Sequence, residues 1–272
     1  HENLLRGGAA NVLHNLYALG AKATLCGVIG NDPMGEHLLA LLAELPSPTQ
    51  GVVKVDDRPT IKKTRIVAQG QQVVRVDRET KTDLPERCLE ELYGFLEKNL
   101  ADYDAVIVSD YAKGLINVPF MECLGRLRAA NGSIPLIIDP KPGRPERYRG
   151  ATIVTPNHHE AQVMSGLQIE DRATLLSAAR TLLDELSCQA VLITRGEAGM
   201  ALLERDKDLY TIPTVAKEVY DVTGAGDTVA ATLALGLAIG LSFAQAATLA
   251  NYAAGIVVGK VGTATANSAE LL

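Results

Sequence analysis

The alternation of short apolar runs with longer segments of helical periodicity constrains the fold of this chain more than any other feature. From residue 84 onward, apolar runs such as residues 105–108 and 136–138 alternate with segments long enough to form helices. Runs that are apolar throughout are typical of strands covered on both faces of a parallel sheet. The pattern therefore predicts an α/β fold with a doubly wound, mostly parallel sheet.

The predicted elements follow this alternation along the chain. Helices are predicted at residues 7–19, 34–45, 85–100, 118–130, 159–165 and 172–186, and two more follow residue 227. Strands are predicted at residues 23–29, 105–109, 135–138, 152–154 and 190–194, and a hairpin at residues 200–204 and 208–212.

Residues 51–78 differ from the rest, because β-branched and charged residues alternate there around a predicted turn at Gly70. This pattern is typical of antiparallel strands with one face in water. We therefore divide the chain into an α/β core of residues 1–50 and 79–272 and a small β lid of residues 51–78. Four cations could add positive charge over a site or could belong to a solvated strand face: Lys62, Lys63, Arg65 and Arg75.

Size and composition favour an enzyme over a nucleic-acid-binding protein. A chain of 272 residues can bury the core of one large domain with a small appendage. The net charge of −6 argues against a general nucleic-acid partner. The cysteines form no CxxC pair and predict reduced thiols rather than disulfides or a metal site: Cys26, Cys88, Cys123 and Cys188.

Residues 228–259 carry no charge and could be mistaken for a membrane span. The run is broken at Gly240, and Ser242 with Gln245 three residues later fits a capping box. We therefore expect two buried helices, no membrane partner and a cytoplasmic protein.

The sequence DVTGAGDT at residues 221–228 is the strongest chemical motif. Gly224 and Gly226 permit a tight turn, and the first amides of the helix that follows form an anion site. The carboxylate of Asp227 at such a site suits a general base that takes a proton from an attacking hydroxyl. A tight turn capped by Asp227 is the alternative.

Two common nucleotide motifs are excluded by the sequence around this turn. The chain contains no GxxxxGK[ST] segment, so it is not a P-loop protein. A dinucleotide fingerprint needs Gly or Ala where Val229 stands, and it needs an acid about 20 residues later to hold a ribose.

Polar residues cluster after the predicted strands, where ligands bind in doubly wound sheets. Asp110 with Lys113 and Asp139 with Lys141 could form a pocket for an anionic, hydroxyl-rich substrate, or could be loop caps and surface ion pairs. Thr194, Arg195 and Gly196 follow another strand.

Asn157 and Glu160 have two interpretations. They can start a helix, or they can organise Mg²⁺, which prefers hard oxygen ligands. The adjacent His158 and His159 point to different faces of a helix and have no third ligand in place, which argues against zinc.

Three groups of residues together resemble the signatures of the ribokinase-like (PfkB) carbohydrate kinases. The first signature can be traced with matching spacing through Gly7, Gly8, Asn11, Gly20 and Gly30, although Leu13 replaces the usual small residue. The second matches residues 221–227 and Ala231, with Thr232 where Ala or Gly is common. Asn157 and Glu160 match an Asn-x-x-Glu element.

Within that family the chain is most similar to the heptose 7-phosphate kinases of lipopolysaccharide-core precursor synthesis, which include the kinase half of a bifunctional kinase/adenylyltransferase. The resemblance extends over essentially the whole chain and is carried by residues 7–12, 109–114, 139–141, 147–152, 218–221 and 255–263. It implies an opening strand with a Gly-Asp pair and a substrate-binding acid, which would lie before His1.

The resemblance implies a ribokinase-like three-layer fold and transfer of the γ-phosphate of ATP to the anomeric hydroxyl of D-glycero-D-manno-heptose 7-phosphate. Asp227 would be the base, and the anion hole would comprise Gly224, Ala225 and Gly226. The ATP-binding residues would be Asn157, His158, His159, Glu160, Thr194, Arg195, Gly196 and Asn251. The sugar-binding residues would be Gly7, Gly8, Asn11, Lys113, Asp139 and Lys141.

The same resemblance implies that Glu160 and Asn157 hold Mg²⁺ through water and that the lid excludes water from the site. Because exposed strand edges often pair, a homodimer through the lid is expected. Two alternatives stay open: a kinase of the same fold that acts on ribose, fructose, a phosphohexose or a nucleoside, and a sugar-binding regulator without catalytic activity.

Overall fold

The computed structural model describes residues 4–68, 71–216 and 218–271, so the predicted turn at Gly70 lies outside the described residues. In chain order the strands are β1 (Gly27–Gly30), β2 (Val52–Val55), β3 (Lys62–Ala68), β4 (Gln71–Arg78), β5 (Val106–Ser109), β6 (Leu136–Asp139), β7 (Ile153–Val154), β8 (Ala190–Thr194), β9 (Met200–Glu204) and β10 (Tyr210–Ile212). The helices are α1 (Ala9–Ala18), α2 (Pro33–Ala43), α3 (Glu86–Asn99), α4 (Val118–Ala130), α5 (His158–Ser165), α6 (Arg172–Glu185), α7 (Ala225–Ala238), α8 (Phe243–Val258) and α9 (Ser268–Leu271).

The central sheet of the described residues has six strands in the order β10-β9-β8-β7-β6-β5. Strands β5 to β8 are parallel, and β9 and β10 continue the sheet in antiparallel pairing. Alternate side chains reach opposite faces, as the two-residue period of a strand requires. Ile138 and Val154 pack with buried residues of α3, α4 and α6, whereas Ile137 and Ile153 pack with α7 and α8. The predicted α/β fold with a mostly parallel sheet covered on both faces is confirmed.

The predicted antiparallel region at residues 51–78 divides into two parts. β2 pairs in parallel with β1, so the expectation of antiparallel pairing is wrong for β2. The physical reason is connectivity, because α2 connects β1 to β2, and a strand that follows a crossover helix pairs in parallel. β3 and β4 do form the expected antiparallel hairpin, which we call the lid hairpin.

The uncharged run after residue 227 forms the two helices that the sequence predicts. Gly236 of α7 lies so close to α8 that a Cβ atom there would approach the Cβ of Ala246 to 2.9 Å. The backbone N–H of Gln245 donates to the Ser242 hydroxyl, and the Ser242 N–H donates to the Gln245 side chain, which completes the predicted capping box. Among the described residues, none of the helices combines the length and the apolar character that crossing a membrane requires.

Two glycines with positive φ give a test of the fold. Gly166 has a ψ of 11°, in the αL region, whereas Gly199 has a ψ of −131°, outside that region. Gly166, the αL cap of α5, has a φ of 70° and no atom within 4 Å of an added Cβ. Gly199, between β8 and β9, has a φ of 73°, but an added Cβ would lie 2.1 Å from the carbonyl oxygen of Ile212. We expect Gly166→Ala to lower the free energy of unfolding by about 1–2 kcal/mol, the usual cost of a left-handed residue.

Gly199→Ala should lower the free energy of unfolding by at least about 2 kcal/mol more, because alanine rarely adopts this backbone conformation and because the backbone of residues 212–214 must also move. Urea titrations of both variants and the wild type measure the difference. Equal losses in the two variants would contradict the close backbone contact at Gly199.

Candidate active site

The start of α7 is built around Gly224 and Asn11. Gly224 is the N-cap of α7 and has a φ of 84°, in the left-handed region that favours glycine. A Cβ atom at residue 224 would lie 2.8 Å from Nδ2 of Asn11 on α1. Both the backbone conformation and the packing of α1 therefore require glycine at this position.

Asp227 lies in the first turn of α7, where it is buried and accepts two hydrogen bonds. Nδ2 of Asn11 donates to Oδ2 at 2.7 Å, and the hydroxyl of Tyr111 donates to Oδ1 at 3.1 Å. Burial raises the pKa of the Asp227 carboxyl, whereas the two hydrogen bonds and the charge of Lys141 act in the opposite direction. The arrangement holds one carboxylate in a fixed orientation at the positive end of a helix.

A second buried contact joins α1 to α7 at the residue after Asp227, and it lies one turn further along α1. The hydroxyl of Thr228 donates to Oδ1 of Asn15 at 2.8 Å, and Nδ2 of Asn15 donates to the carbonyl oxygen of Asn11 at 2.9 Å. Thr228 and both asparagines are buried. Because buried polar groups that lose a partner cost free energy, this chain of bonds fixes the position of Asn11.

Asp221 closes the loop before α7. Its carboxylate accepts from the backbone N–H of Thr223 at 2.9 Å and from that of Gly262 at 3.1 Å, so it joins two loops beside the glycine turn. The sequence analysis gave Asp221 no separate role. An aspartate two residues before a threonine is a common turn arrangement, and this signal could have found the first bond but not the second.

Asp139, Lys141 and Glu160 meet where β6 ends and α5 begins. Nζ of Lys141 forms an ion pair with Oε1 of the buried Glu160. Burial raises the pKa of the Asp139 carboxyl to about 8, and the charges of Asp227 and Glu160 add to this effect while Lys141 opposes it. Three residues that the sequence assigned to the sugar and to ATP therefore interact directly or through their charges.

Asn157 and Glu160 form a complete capping box at the start of α5. The Glu160 N–H donates to Oδ1 of Asn157 at 2.9 Å, and the Asn157 N–H donates to Oε2 of Glu160 at 3.0 Å. Asn157 also forms an isolated parallel bridge with Thr194. These bonds correspond to the first of the two interpretations, in which Asn157 and Glu160 start a helix. The expected roles of the two residues in binding a nucleotide and Mg²⁺ stay predictions. The described part of the chain holds no cluster of three or more His, Cys, Asp or Glu side chains suited to a metal.

A buried network that the sequence analysis missed supports Lys141. Arg147 forms an ion pair with Asp110, with Nη2 2.8 Å from Oδ2, and the hydroxyl of Tyr148 donates to the same oxygen at 2.6 Å. The backbone N–H of Lys141 in turn donates to the Tyr148 hydroxyl at 2.9 Å. Asp110 therefore anchors the loop that carries Lys141, and the sequence gives no local signal for a contact between residues 38 positions apart.

Lys113 contacts the base of the lid hairpin. Its Nζ lies 2.7 Å from Oε1 of Glu79, and Nζ of Lys63 lies 2.9 Å from Oε2 of the same carboxylate. The hydrogen bonds from these two lysines lower the pKa of Glu79 to about 2. Lys113, which the sequence assigned to the sugar, thus also joins the core to the lid hairpin.

The remaining residues expected on the nucleotide side lie at two places. Arg195 and His158 line a cavity of about 510 Å³, and His159 nearby is exposed. Gly196 begins a short 3-10 helix beside them. Asn251 is buried on α8, and its Nδ2 donates to the carbonyl oxygen of Pro213 at 2.8 Å. Contact of these side chains with a nucleotide stays a prediction.

A larger cleft joins the glycine turn to the lid hairpin. Its lining includes Gly7, Gly8, Lys63, Lys113, Gly224 and Asp227. The same opening of about 1570 Å³ also extends between β1 and β5 over apolar side chains such as Val28, Val106 and Phe120, so only part of this volume borders Asp227. The sequence-predicted base therefore opens onto the same cleft as three of the expected sugar-binding residues.

Comparison with known proteins identifies the family of this chain. A family profile described as pfkB family carbohydrate kinase matches residues 3–270. The chain belongs to this family. As a carbohydrate kinase it is a phosphotransferase. The first family signature contains Asn11 and the second contains Asp227, and a hydrogen bond joins these two side chains.

Curated relatives of this carbohydrate kinase carry the description bifunctional protein HldE. The relative from Citrifermentans bemidjiense is 46% identical and that from Geotalea uraniireducens 45% identical, each over 271 residues that include 100% of this chain and 55% of the relative. The chain thus spans about half the length of the curated relatives it matches. Ribokinase from Arabidopsis thaliana, solved with ribose and ATP, has the same fold, with a TM-score of 0.77, 20% identity, and coverage of 97% of this chain and 86% of that one.

The raised pKa of Asp139 predicts a pH-dependent contribution to stability. With a folded-state pKa of about 8 and an ordinary value of 3.8, the folded kinase binds up to one more proton than the unfolded chain between those values. The contribution of Asp139 to the free energy of unfolding is therefore fully present below about pH 4 and is lost as the pH rises to 8. Asp139→Asn should remove this dependence.

The stability difference between Asp139→Asn and wild type should move in favour of the variant from pH 5 to pH 8, by up to about 1.4 kcal/mol per pH unit. Denaturant unfolding of both proteins at several pH values measures it. Parallel stability profiles would show that Asp139 is ionised like an exposed carboxyl.

Proposed function

We propose that this chain transfers the γ-phosphate of ATP to the anomeric hydroxyl of D-glycero-D-manno-heptose 7-phosphate and forms the 1,7-bisphosphate. The observation that carries the proposal is the carboxylate of Asp227, held by Asn11 and Tyr111 at the start of α7 and open to the large cleft. The choice of a heptose phosphate rests on the resemblance in sequence and on the relatives named HldE.

In the proposed reaction the anomeric oxygen attacks the γ-phosphorus while Asp227 accepts the hydroxyl proton. A bond forms between the sugar oxygen and phosphorus, the bond from phosphorus to the β–γ bridging oxygen breaks, and ADP leaves. The hydrogen bonds to Asp227 favour its ionised form, which a base requires, while burial keeps its pKa from falling far below the working pH.

The backbone amides at the start of α7 would stabilise charge on the transferring phosphoryl group. Preorganised donors of this kind are worth roughly 3–4 kcal/mol each when one is removed. The Ala225 N–H already donates to the carbonyl oxygen of Val222 at 3.2 Å, so we assign the larger share to the amides of Gly226 and Asp227.

Two observations support sugar-side roles for Asn11 and Gly8. Oδ1 of Asn11 is buried and has no hydrogen-bond partner among the described residues, which leaves an unused acceptor next to the cleft, although Asn11 is not among the residues that line it. Gly8 has a φ of 59° and borders the same cleft. Lys113 and Lys141 would supply positive charge for the 7-phosphate and for the transferring group.

Glu160 and Asn157 fit Mg²⁺ through its bound water better than by direct coordination. Both carboxylate oxygens of Glu160 already accept hydrogen bonds, from Lys141 and from the Asn157 backbone. Oxygen ligands suit this ion, which usually keeps several waters. When bound, it would neutralise charge on the nucleotide phosphates.

The lid hairpin would exclude water from the cleft, since water would compete with the sugar as phosphoryl acceptor. Exposed apolar side chains on the hairpin support the expected homodimer, because such surfaces are commonly covered by a partner: Ile66, Val73, Val74 and Val76. Homodimerisation and a cytoplasmic location remain predictions.

A substrate panel with Asp227→Asn tests the proposed function. The wild type should consume ATP fastest with heptose 7-phosphate, compared with ribose, fructose, fructose 6-phosphate and a nucleoside. Asp227→Asn should lower kcat by several orders of magnitude and leave ATP affinity nearly unchanged, because the base is lost and the amides remain. Asp184→Asn, on the exposed face of α6 and outside both cavities, is the matched control.

Phosphoryl transfer is measured by release of ADP and by the 31P spectrum of the product. Near-wild-type turnover of Asp227→Asn would remove Asp227 from the base role. A faster reaction with another acceptor would replace heptose 7-phosphate with that acceptor, and no transfer to any sugar would favour a non-catalytic binding protein.

A further inference from the structure

Tyr111 is the second donor to Asp227, and no role in the reaction has been given to it so far. It lies in the loop directly after β5, and its hydroxyl is 3.1 Å from Oδ1 of Asp227. Asn11 occupies the other carboxylate oxygen. The two donors come from different elements, so together they fix both the position and the rotation of the carboxylate group.

The loop that carries Tyr111 is itself held in place. Oδ1 of Asp110 accepts a bond from the Ala112 N–H at 2.6 Å, and Ala112 has a φ of 53°, in the left-handed region. The ring of Tyr111 lies against the start of α1, where a Cβ atom at Gly8 would be 3.4 Å from Cε2. The ring therefore lies beside Gly8 while its hydroxyl donates to Asp227.

The hydroxyl keeps its proton and therefore acts as a donor. Burial raises the pKa of Tyr111, and the negative charges of Asp227 and Asp139 raise it further. A protonated phenol bonded to a carboxylate favours the ionised form of that carboxylate.

We propose that Tyr111 is a positioning residue for the base. Its hydroxyl holds Oδ1 of Asp227, so that the free lone pairs of the carboxylate face an acceptor hydroxyl in the cleft. This inference rests on the proposed function, because it assigns Tyr111 a task in the same phosphoryl transfer.

The charged and polar groups around Asp227 set the direction of the expected effect. Asn11 from α1 and Lys141 from the loop after β6 favour the ionised carboxylate, whereas burial disfavours it. The neighbouring Asp139 of β6, whose own pKa is raised to about 8, is uncharged at the pH where Asp227 ionises. Without the Tyr111 hydroxyl, Asn11 and Lys141 remain to oppose the effect of burial on the Asp227 pKa. The pKa of Asp227 should therefore rise in Tyr111→Phe.

The test compares Tyr111→Phe with Tyr103→Phe. Tyr103 precedes β5, at the opposite end of that strand from Tyr111, and its hydroxyl donates to Oγ1 of Thr24 at 2.7 Å. Both variants lose one partly buried hydroxyl, but only the first loses a bond to Asp227. In Tyr111→Phe the acid limb of kcat/KM should move to higher pH by about one unit, and kcat at neutral pH should fall about tenfold. The Tyr103→Phe profile should superimpose on that of the wild type.

A ¹³C NMR titration of the Asp227 carboxyl group measures the pKa of Asp227 directly and needs no substrate. The Asp227 signal is assigned by comparison with the spectrum of Asp227→Asn. The titration should show a higher pKa in Tyr111→Phe than in the wild type. An unchanged Asp227 pKa, or an acid limb that does not move, would overturn the role of Tyr111. Failure of the wild type to phosphorylate any sugar would instead overturn the proposed function, and the titration would still decide the inference.

Discussion

The contact of Asn11 with Gly224 and Asp227 is the constraint on which the rest of the site depends. The amide of Asn11 occupies the space that a side chain at residue 224 would fill, and from there it donates to Asp227. Two helices more than 200 residues apart in sequence are thereby joined at the atoms that would perform the chemistry. The residues at positions 11 and 224 depend on each other, because glycine at position 224 leaves the space that the Asn11 side chain occupies.

The carboxyl ends of the parallel strands bring several acids to one edge of the sheet, which is electrostatically unfavourable. The structure opposes this repulsion with cations placed between the acids. Arg147 pairs with Asp110, and Lys141 pairs with Glu160 while acting on Asp139 and Asp227. Asp139 retains a raised pKa in spite of Lys141. Such a cluster suits a ligand that brings its own charge, and perturbed carboxyl groups of this kind are common at functional sites.

Much of the fold could be predicted from the sequence because its elements are marked locally. Both α4 and β8 have the predicted bounds, since Pro119 lies in the first turn of α4 and β8 is an apolar run with clear ends. β1 begins four residues later than predicted, because apolar periodicity reports burial and not strand pairing. The parallel pairing of β2 follows from the connection β1-α2-β2. The sequence analysis grouped β2 with the lid because residues 51–78 share one alternating composition.

In the candidate site, too, the features marked by local sequence motifs could be predicted, and the contacts between distant residues could not. The glycine turn located Asp227, and the spacing of Asn157 and Glu160 located the start of α5, because both motifs act within a few residues. The hydrogen bond from Tyr111 to Asp227 and the ion pair of Arg147 with Asp110 connect elements that are far apart in sequence. Their existence depends on how the strands are ordered in the sheet, and a single sequence does not contain that order.

The most direct test of this account is the kinetic effect of Asn11→Leu, which keeps the volume that packs against Gly224 but removes the donor to Asp227. The account predicts that kcat falls at least about tenfold, that KM for ATP changes little, and that the circular dichroism spectrum remains that of the folded wild type. A variant that folds and keeps the wild-type kcat would contradict the claim that the contact between α1 and α7 positions the base.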